Sequence, residues 1–93
     1  MIKIIKIINR GGSCPFQIDA LTDDDRMVYG RYRYGGIRVY IGEAGDLSED
    51  AALDGELLFE AVAGGALDGT MTLEEFKEHT KETLDFSEAV DDS

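Results

Sequence analysis

The stretch from Met27 to Gly42, MVYGRYRYGGIRVYIG, predicts a β-hairpin around which the rest of the chain is arranged. Gly35-Gly36 is a two-residue turn sequence that supplies the positive φ values of a type I′ hairpin. This turn would pair Tyr34 with Ile37 and Arg33 with Arg38. Because directly paired residues share a face of the sheet, one face of the hairpin is apolar. It contains Val28, Tyr32, Tyr34, Ile37, Val39 and Ile41.

The opposite face of the hairpin combines arginine with tyrosine, and we call it the Arg/Tyr face. It consists of Tyr29, Arg31, Arg33, Arg38 and Tyr40. Like charges opposite each other on a ladder repel, so this face is expected to bind an anion from the chain itself or from a partner. Arginines interleaved with aromatic rings are also typical of surfaces that bind single-stranded nucleic acid. No RNP-type motif accompanies them, and nucleic-acid binding is therefore kept as an alternative function.

The segment before the hairpin predicts a strand in register with it. Residues 16–22 end at Asp23-Asp24-Asp25, a three-residue loop in which Asp25 takes the left-handed position. A loop of this length pairs Ala20 with Val28 and keeps the apolar residues of both strands on one face. A two-residue loop would instead turn polar residues into the core, so we reject it.

Two further segments favour strands. Residues 2–9 are dense in β-branched side chains, which suit a strand. Residues 56–62 fit either a helix or a strand by their periodicity, and we favour the strand. A chain of 93 residues is expected to be one domain, which we place at residues 1–86, followed by a frayed acidic tail at 87–93.

The C-terminal region contains the clearest helix signal. Thr72-Leu73-Glu74-Glu75 is a capping box, and apolar residues follow at helical spacing over about residues 73–84. This helix should lie on the apolar sheet face, where Gly30 leaves room for Phe76. The fold class predicted from these elements is α+β: an antiparallel sheet of four to five strands with one amphipathic C-terminal helix packed on one face.

Charge divides the chain into two unequal halves. The net charge is −11, but residues 1–42 carry seven basic and four acidic side chains, while residues 43–93 carry two basic and sixteen acidic ones. Such acidity disfavours binding to nucleic-acid phosphates by the molecule as a whole. It is also the composition of a halophilic protein, in which acidic residues serve solvation. The third possibility is a negative surface that docks a basic partner.

Several motifs were weighed as chemical sites. Residues 68–76, DGTMTLEEF, resemble the second half of an EF-hand calcium loop, with Gly69 as the turn glycine and Glu75 as the twelfth position. The first half departs from that pattern, because Gly64 and Ala66 stand where the EF-hand has oxygen ligands. Cys14 would need a base such as His79 nearby to act as a nucleophile, and nothing in the sequence brings them together. We therefore predict no enzyme activity, no cofactor and no metal site.

The acidic residues of the C-terminal helix and tail are the favoured site, and we call them the acidic face. They are Glu74, Glu75, Glu78, Glu82, Asp85 and Glu88. We expect a small interaction module that docks a basic protein, in the manner of an inhibitor that imitates nucleic-acid phosphates. In size and charge the chain resembles small acidic proteins of phages and mobile elements, including anti-CRISPR proteins and other DNA mimics, although no motif carries that resemblance. The remaining alternative is a small structural protein with a halophile-type surface.

The setting expected for this module follows from composition. A single cysteine excludes an internal disulfide framework and suits a reducing compartment, so we expect a cytoplasmic protein. The N-terminal apolar run is short and is interrupted by Lys6, so neither a signal peptide nor a membrane partner is expected. The oligomeric state is expected to be a monomer or a weak homo-oligomer.

Overall fold

The computed structural model describes residues 1–11, 16–46, 52, 55–64 and 71–92. Within these residues the chain forms seven strands and one helix. In chain order they are β1 (Ile2–Gly11), β2 (Phe16–Thr22), β3 (Met27–Arg33), β4 (Gly36–Ile41), β5 (Glu56–Val62), α1 (Leu73–Thr80), β6 (Leu84–Asp85) and β7 (Val90–Asp91). No helix in this part of the chain is long and apolar enough to cross a membrane.

The first five strands form an antiparallel meander that curls into a half-barrel, and the chain then returns to its first strand. The sheet order is β5-β4-β3-β2-β1-β6, and both β6 and β7 pair with β1 in the parallel direction. The prediction of an antiparallel α+β fold with four to five strands is therefore wrong. The sheet is mixed, and 55% of the described residues lie in strands. Segments of two residues carry no periodicity, so the sequence pattern could not reveal β6 and β7.

The helix lies on the apolar, concave side of the sheet and is centred on Phe76, which is fully buried. A Cβ atom added to Gly30 would come within 2.5 Å of the Phe76 ring, so the predicted fit of Phe76 over Gly30 is confirmed. Phe16 also packs on this ring, with the ring centroids 5.5 Å apart. The helix ends at Thr80 and not near residue 84, because Leu84 leaves it to pair with β1 while remaining buried.

The β3–β4 hairpin forms at a different turn from the predicted one. The positive φ angles belong to Tyr34 (54°) and Gly35 (77°), so Arg31 pairs with Arg38. The predicted Gly35-Gly36 register was wrong, but the shift is an even number of residues and leaves the faces unchanged. Tyr34 is the exception, since it lies in the turn and is 65% exposed.

Contacts at the turn explain why the non-glycine residue Tyr34 accepts a left-handed conformation. The Arg33 guanidinium lies 4.6 Å from the Tyr34 ring centroid and donates a hydrogen bond of 2.8 Å to its hydroxyl. The Gly35 carbonyl accepts a hydrogen bond from the Ala63 amide at 2.8 Å. These contacts offset the cost of a positive φ at a tyrosine.

The β2–β3 connection agrees with its prediction. Asp25 has a φ of 61°, and Ala20 pairs with Val28 as expected from the three-residue loop. Phe16, Ile18 and Ala20 are buried on the concave side, and the strand predicted at residues 56–62 is also confirmed.

The C-terminal segment is held against β1 by three ion pairs. Lys3 pairs with Glu88 at 2.6 Å, Lys6 with Asp92 at 3.2 Å and Arg10 with Asp91 at 3.0 Å. The Asp92 amide also donates a hydrogen bond to the Ile7 carbonyl. Much of the charge division of the sequence is thus used inside the molecule. The residues predicted to be a frayed tail include β7.

Replacing Gly30 by alanine should destabilise the protein by about 1–3 kcal/mol, because the added methyl group meets the Phe76 ring in a filled core. Urea unfolding measures the change. The matched control is Gly36→Ala, where the nearest atom to a new Cβ is 3.6 Å away and a change within about 0.5 kcal/mol is expected. Equal effects of both substitutions would contradict the packing described here.

Removing two of the β1 cations should loosen β7 selectively. In the Lys6→Gln/Arg10→Gln variant we expect the Asp92 amide to exchange its hydrogen on the order of two- to tenfold faster, because each exposed ion pair contributes modestly. Arg38→Gln removes an exposed pair with Glu60 elsewhere and should leave this amide unchanged. Hydrogen exchange followed by NMR measures both, and equal rates in all three proteins would show that the ion pairs do not hold β7.

Candidate functional site

An open groove of about 300 Å³ lies between the helix, β6 and the N-terminal residue. Three members of the acidic face line it, namely Glu74, Glu78 and Asp85. We call it the acidic groove, and its complete lining is Met1, Glu74, Lys77, Glu78, Lys81, Leu84, Asp85 and Phe86. The groove therefore combines three carboxylates with the ammonium groups of Lys77, Lys81 and the N-terminal Met1, and with apolar side chains.

Two local structures position the carboxylates of the groove. The capping box begins the helix, since the Glu75 amide donates to the Thr72 hydroxyl and the Glu75 carboxylate accepts from the Thr72 amide, both at 3.1 Å. Glu74 and Glu78 then lie one helical turn apart. Asp85 reaches the same groove because its strand β6 pairs with Lys3 and Ile2 of β1.

The carboxylates on the helix already have cationic neighbours within the chain. Glu78 pairs with Lys81 at 2.8 Å, and Glu74 lies 3.8 Å from the Lys77 ammonium. These are exposed i,i+3 pairs, which contribute little to stability and exchange readily with other cations. Lys77 also lies 5.7 Å from the centroid of the Phe86 ring, so the groove accommodates a cation over an aromatic surface.

Hydrogen bonds keep two of the groove carboxylates, those of Glu78 and Asp85, ionised to lower pH. The hydrogen bond and charge of Lys81 lower the pKa of Glu78, and Glu78 in return raises the pKa of Lys81. The pKa of Asp85 is lowered by hydrogen bonds from Ser87, whose amide donates to Asp85 Oδ1 at 2.9 Å. Glu78 and Asp85 therefore remain ionised to below the ordinary range of carboxylic acids.

The other three members of the acidic face do not line the groove. Glu75 is used by the helix cap, Glu82 lies in the turn after the helix, and Glu88 pairs with Lys3. The structure thus places three of the six residues at the groove and the other three outside it. Sequence reasoning also missed the apolar floor, Met1, Leu84 and Phe86, although an aromatic residue within such an acidic stretch was the available signal.

The Arg/Tyr face lies on the convex side of the sheet, opposite the helix. Gly30 faces Phe76, so by strand alternation Tyr29 and Arg31 point the other way. Tyr29 and Tyr40 are directly paired, and their rings stack with centroids 6.5 Å apart. Burial raises the pKa of Tyr29, and its hydroxyl stays protonated at neutral pH.

The arginines of this face differ in their partners. Arg38 pairs with Glu60 at 2.9 Å, and Arg33 is held against Tyr34. The Nε atom of Arg31 is buried and has no hydrogen-bond partner among the described residues. The structure therefore brings all five residues to one face, with Arg38 neutralised within the chain and the desolvated Nε of Arg31 unpaired there.

The remaining sequence candidates give no chemical site in the described residues. No group of three or more histidine, cysteine, aspartate or glutamate side chains in that part of the chain could hold a metal ion. Glu75, the twelfth position of the EF-hand resemblance, is engaged in the capping box. Gly69, Ala66 and Cys14 lie outside the described residues.

The chain matches no protein-family model, and no curated protein or solved structure matches it significantly.

The lowered pKa of Asp85 predicts acid sensitivity. A carboxylate whose folded pKa lies below its unfolded value, near 3.8, stabilises the fold above that value, and the contribution is lost as the pH falls through the folded pKa. Asp85→Asn keeps an acceptor for the Ser87 amide but has no charge. Its urea midpoint should therefore fall less than that of the wild-type protein between about pH 5 and pH 2.5. An identical fall in both proteins would contradict this assignment.

Proposed function

We propose that this protein is a non-enzymatic interaction module that docks a positively charged protein through its acidic groove. The observation that supports this is the convergence of Glu74, Glu78 and Asp85 on a groove with an apolar floor. A concave site with a few convergent charged groups is where a ligand side chain gains most from burial. An exposed acidic row without a groove would offer attraction but little specificity.

A lysine or arginine side chain of the partner fits the chemistry of this groove. Its charged end would replace Lys77 beside Glu74, or Lys81 beside Glu78. Its aliphatic stem would lie on Leu84 and Phe86. Because the internal pairs are exposed, separating them costs little. Specificity then arises from the apolar floor and the position of Asp85.

The net charge of −11 acts at longer range. Acidic side chains outside the groove attract a basic partner and raise the rate of encounter, an effect that salt weakens. The groove alone is smaller than a standard protein interface, so it would serve as the anchor of a wider contact. We place this contact in the cytoplasm, in line with the single cysteine.

The narrower form of the proposal is inhibition of a nucleic-acid-handling protein. Carboxylates one helical turn apart, with further acids around them, can occupy a groove built for phosphates, because arginine and lysine bind carboxylates and phosphates by the same charge-assisted hydrogen bonds. The protein would then prevent nucleic acid from reaching its site on the partner. Surface solvation without a partner is the competing explanation of the acidity.

The test compares two triple variants that change the net charge equally. Glu74→Gln/Glu78→Gln/Asp85→Asn removes the charges of the three groove carboxylates, and Asp23→Asn/Asp25→Asn/Glu43→Gln removes those of three exposed acids outside the groove. Immobilised protein is exposed to lysate of the source cells at about 150 and about 500 mM salt, and bound proteins are identified by mass spectrometry.

We expect the wild-type protein and the second variant to retain a basic partner that the first variant loses by about tenfold or more, and that the higher salt releases. The isolated partner is then assayed for nucleic-acid binding with and without this protein. A partner retained equally by both variants would contradict the groove. Loss from both variants would show that overall charge, and not this site, is responsible.

A further inference from the structure

The convex side of the sheet contains a second candidate site that the acidic groove does not explain. Arg31 and Arg38 are directly opposed across β3 and β4, and Tyr29 and Tyr40 form the next pair on the same face. From β2, the uncharged Gln17 pairs with Arg31, and Asp19 pairs with Tyr29 on the same face. Polar donors and aromatic rings are thus adjacent on one surface.

One nitrogen of the Arg31 side chain, Nε, has no hydrogen-bond partner among the described residues. This atom is also withdrawn from solvent. A buried donor without an acceptor is unfavourable, and an arginine in this state is usually paired with a carboxylate or phosphate. Because the Nε is itself withdrawn from solvent, an external acceptor would reach the half-buried Arg31 through its terminal nitrogens.

The neighbouring arginines add to the positive character of this surface. Glu60 neutralises Arg38, but no carboxylate among the described residues lies within ion-pair distance of Arg31 or Arg33. Arg33 is fixed against the exposed ring of Tyr34. A ligand with repeated negative charges would reach more than one of these groups along the strand.

The tyrosine pair distinguishes between classes of anionic ligand. Tyr29 and Tyr40 stack at 26° between their ring planes and are partly exposed. An acidic peptide could satisfy the arginines but would gain little from these rings, whereas an unpaired base stacks on such a platform. Duplex DNA is read by elements that enter a groove, which a convex sheet surface does not provide.

We propose that the Arg/Tyr face binds single-stranded nucleic acid, with a phosphate at Arg31 and a base against the Tyr29/Tyr40 pair. This site lies on the opposite side of the sheet from the helix and is independent of the proposed docking of a basic protein. Because the molecule is acidic overall, binding is modest and strongest at low salt. If two arginines each contact one phosphate, the logarithm of the association constant should fall with the logarithm of the salt concentration with a slope of about −1.4.

The test measures fluorescence anisotropy of labelled oligothymidylate and oligouridylate of about twelve nucleotides at about 50 mM salt. We expect saturable binding that Arg31→Ala weakens about tenfold or more and that Tyr40→Leu weakens about fivefold or more. Lys81→Ala is the control, since it removes the same charge from the other side of the sheet. Urea unfolding establishes that each variant is folded, and should Arg31→Ala not fold, Arg33→Ala is expected to weaken binding instead, because Arg33 is exposed and on the same face.

Three results would overturn the proposal. They are absence of binding by the folded wild-type protein, equal weakening by Arg31→Ala and Lys81→Ala, and tighter Arg31-dependent binding of a labelled poly-glutamate peptide than of either oligonucleotide. The groove variant Glu74→Gln/Glu78→Gln/Asp85→Asn should bind the oligonucleotides at least as well as the wild-type protein. Failure of the groove proposal and failure of this one are therefore separately observable.

Discussion

Phe76 occupies the space that Gly30 leaves in the middle of β3, and this contact determines how the rest of the molecule is arranged. Gly30 has no side chain, and a methyl group there would collide with the Phe76 ring. The helix can therefore approach the sheet closely at this position. The ring also packs edge-on against Phe86, with centroids 6.3 Å apart, so the chain after the helix is drawn onto the same core. The concave side is thereby closed, and the charged side chains are left on the convex side and the rim.

Electrostatics acts on two levels in this protein. Basic residues of β1 and acidic residues near β7 form three exposed ion pairs, so part of the charge asymmetry serves the fold. Glu74 and Glu78, which line the groove, pair with lysines three residues further along the chain, and these exposed pairs leave both carboxylates available to a competing cation. A division of charge along the sequence therefore indicates a docking surface only where the acidic residues do not already form ion pairs with basic residues from a distant part of the same chain.

The sequence predicted the structure correctly where turn residues and the alternation of apolar and polar side chains along a strand both apply. The Asp25 loop, the two faces of the hairpin and the fit of Phe76 over Gly30 follow from local rules that the structure obeys. The turn at Tyr34 was missed because glycine is the usual residue at positive φ, and the tyrosine is held there by Arg33 and by the chain after β5. Such contacts join distant segments and leave no local signal.

Long-range pairing also limited the prediction of the sites. The parallel strands β6 and β7 depend on hydrogen bonds to β1, so neither the mixed sheet nor the position of Asp85 beside the helix could be read from the sequence. The five residues of the Arg/Tyr face were predictable because alternation alone places them. The unpaired Nε of Arg31 could not be predicted, because it depends on whether neighbouring residues in the folded protein offer a hydrogen-bond acceptor.

The pairing of β1 with β7 has a consequence for biosynthesis. Among the described strands, β1 leaves the ribosome first and its edge partner leaves last, so most of the chain is made before that edge can be covered. During this interval Ile5 and Ile8, which stay partly exposed even in the finished fold, belong to an open strand edge that can pair with other chains. The nascent protein is therefore open to aggregation at this edge until residues 84–91 have left the ribosome, and a chaperone that covers the edge favours a high yield of folded molecules.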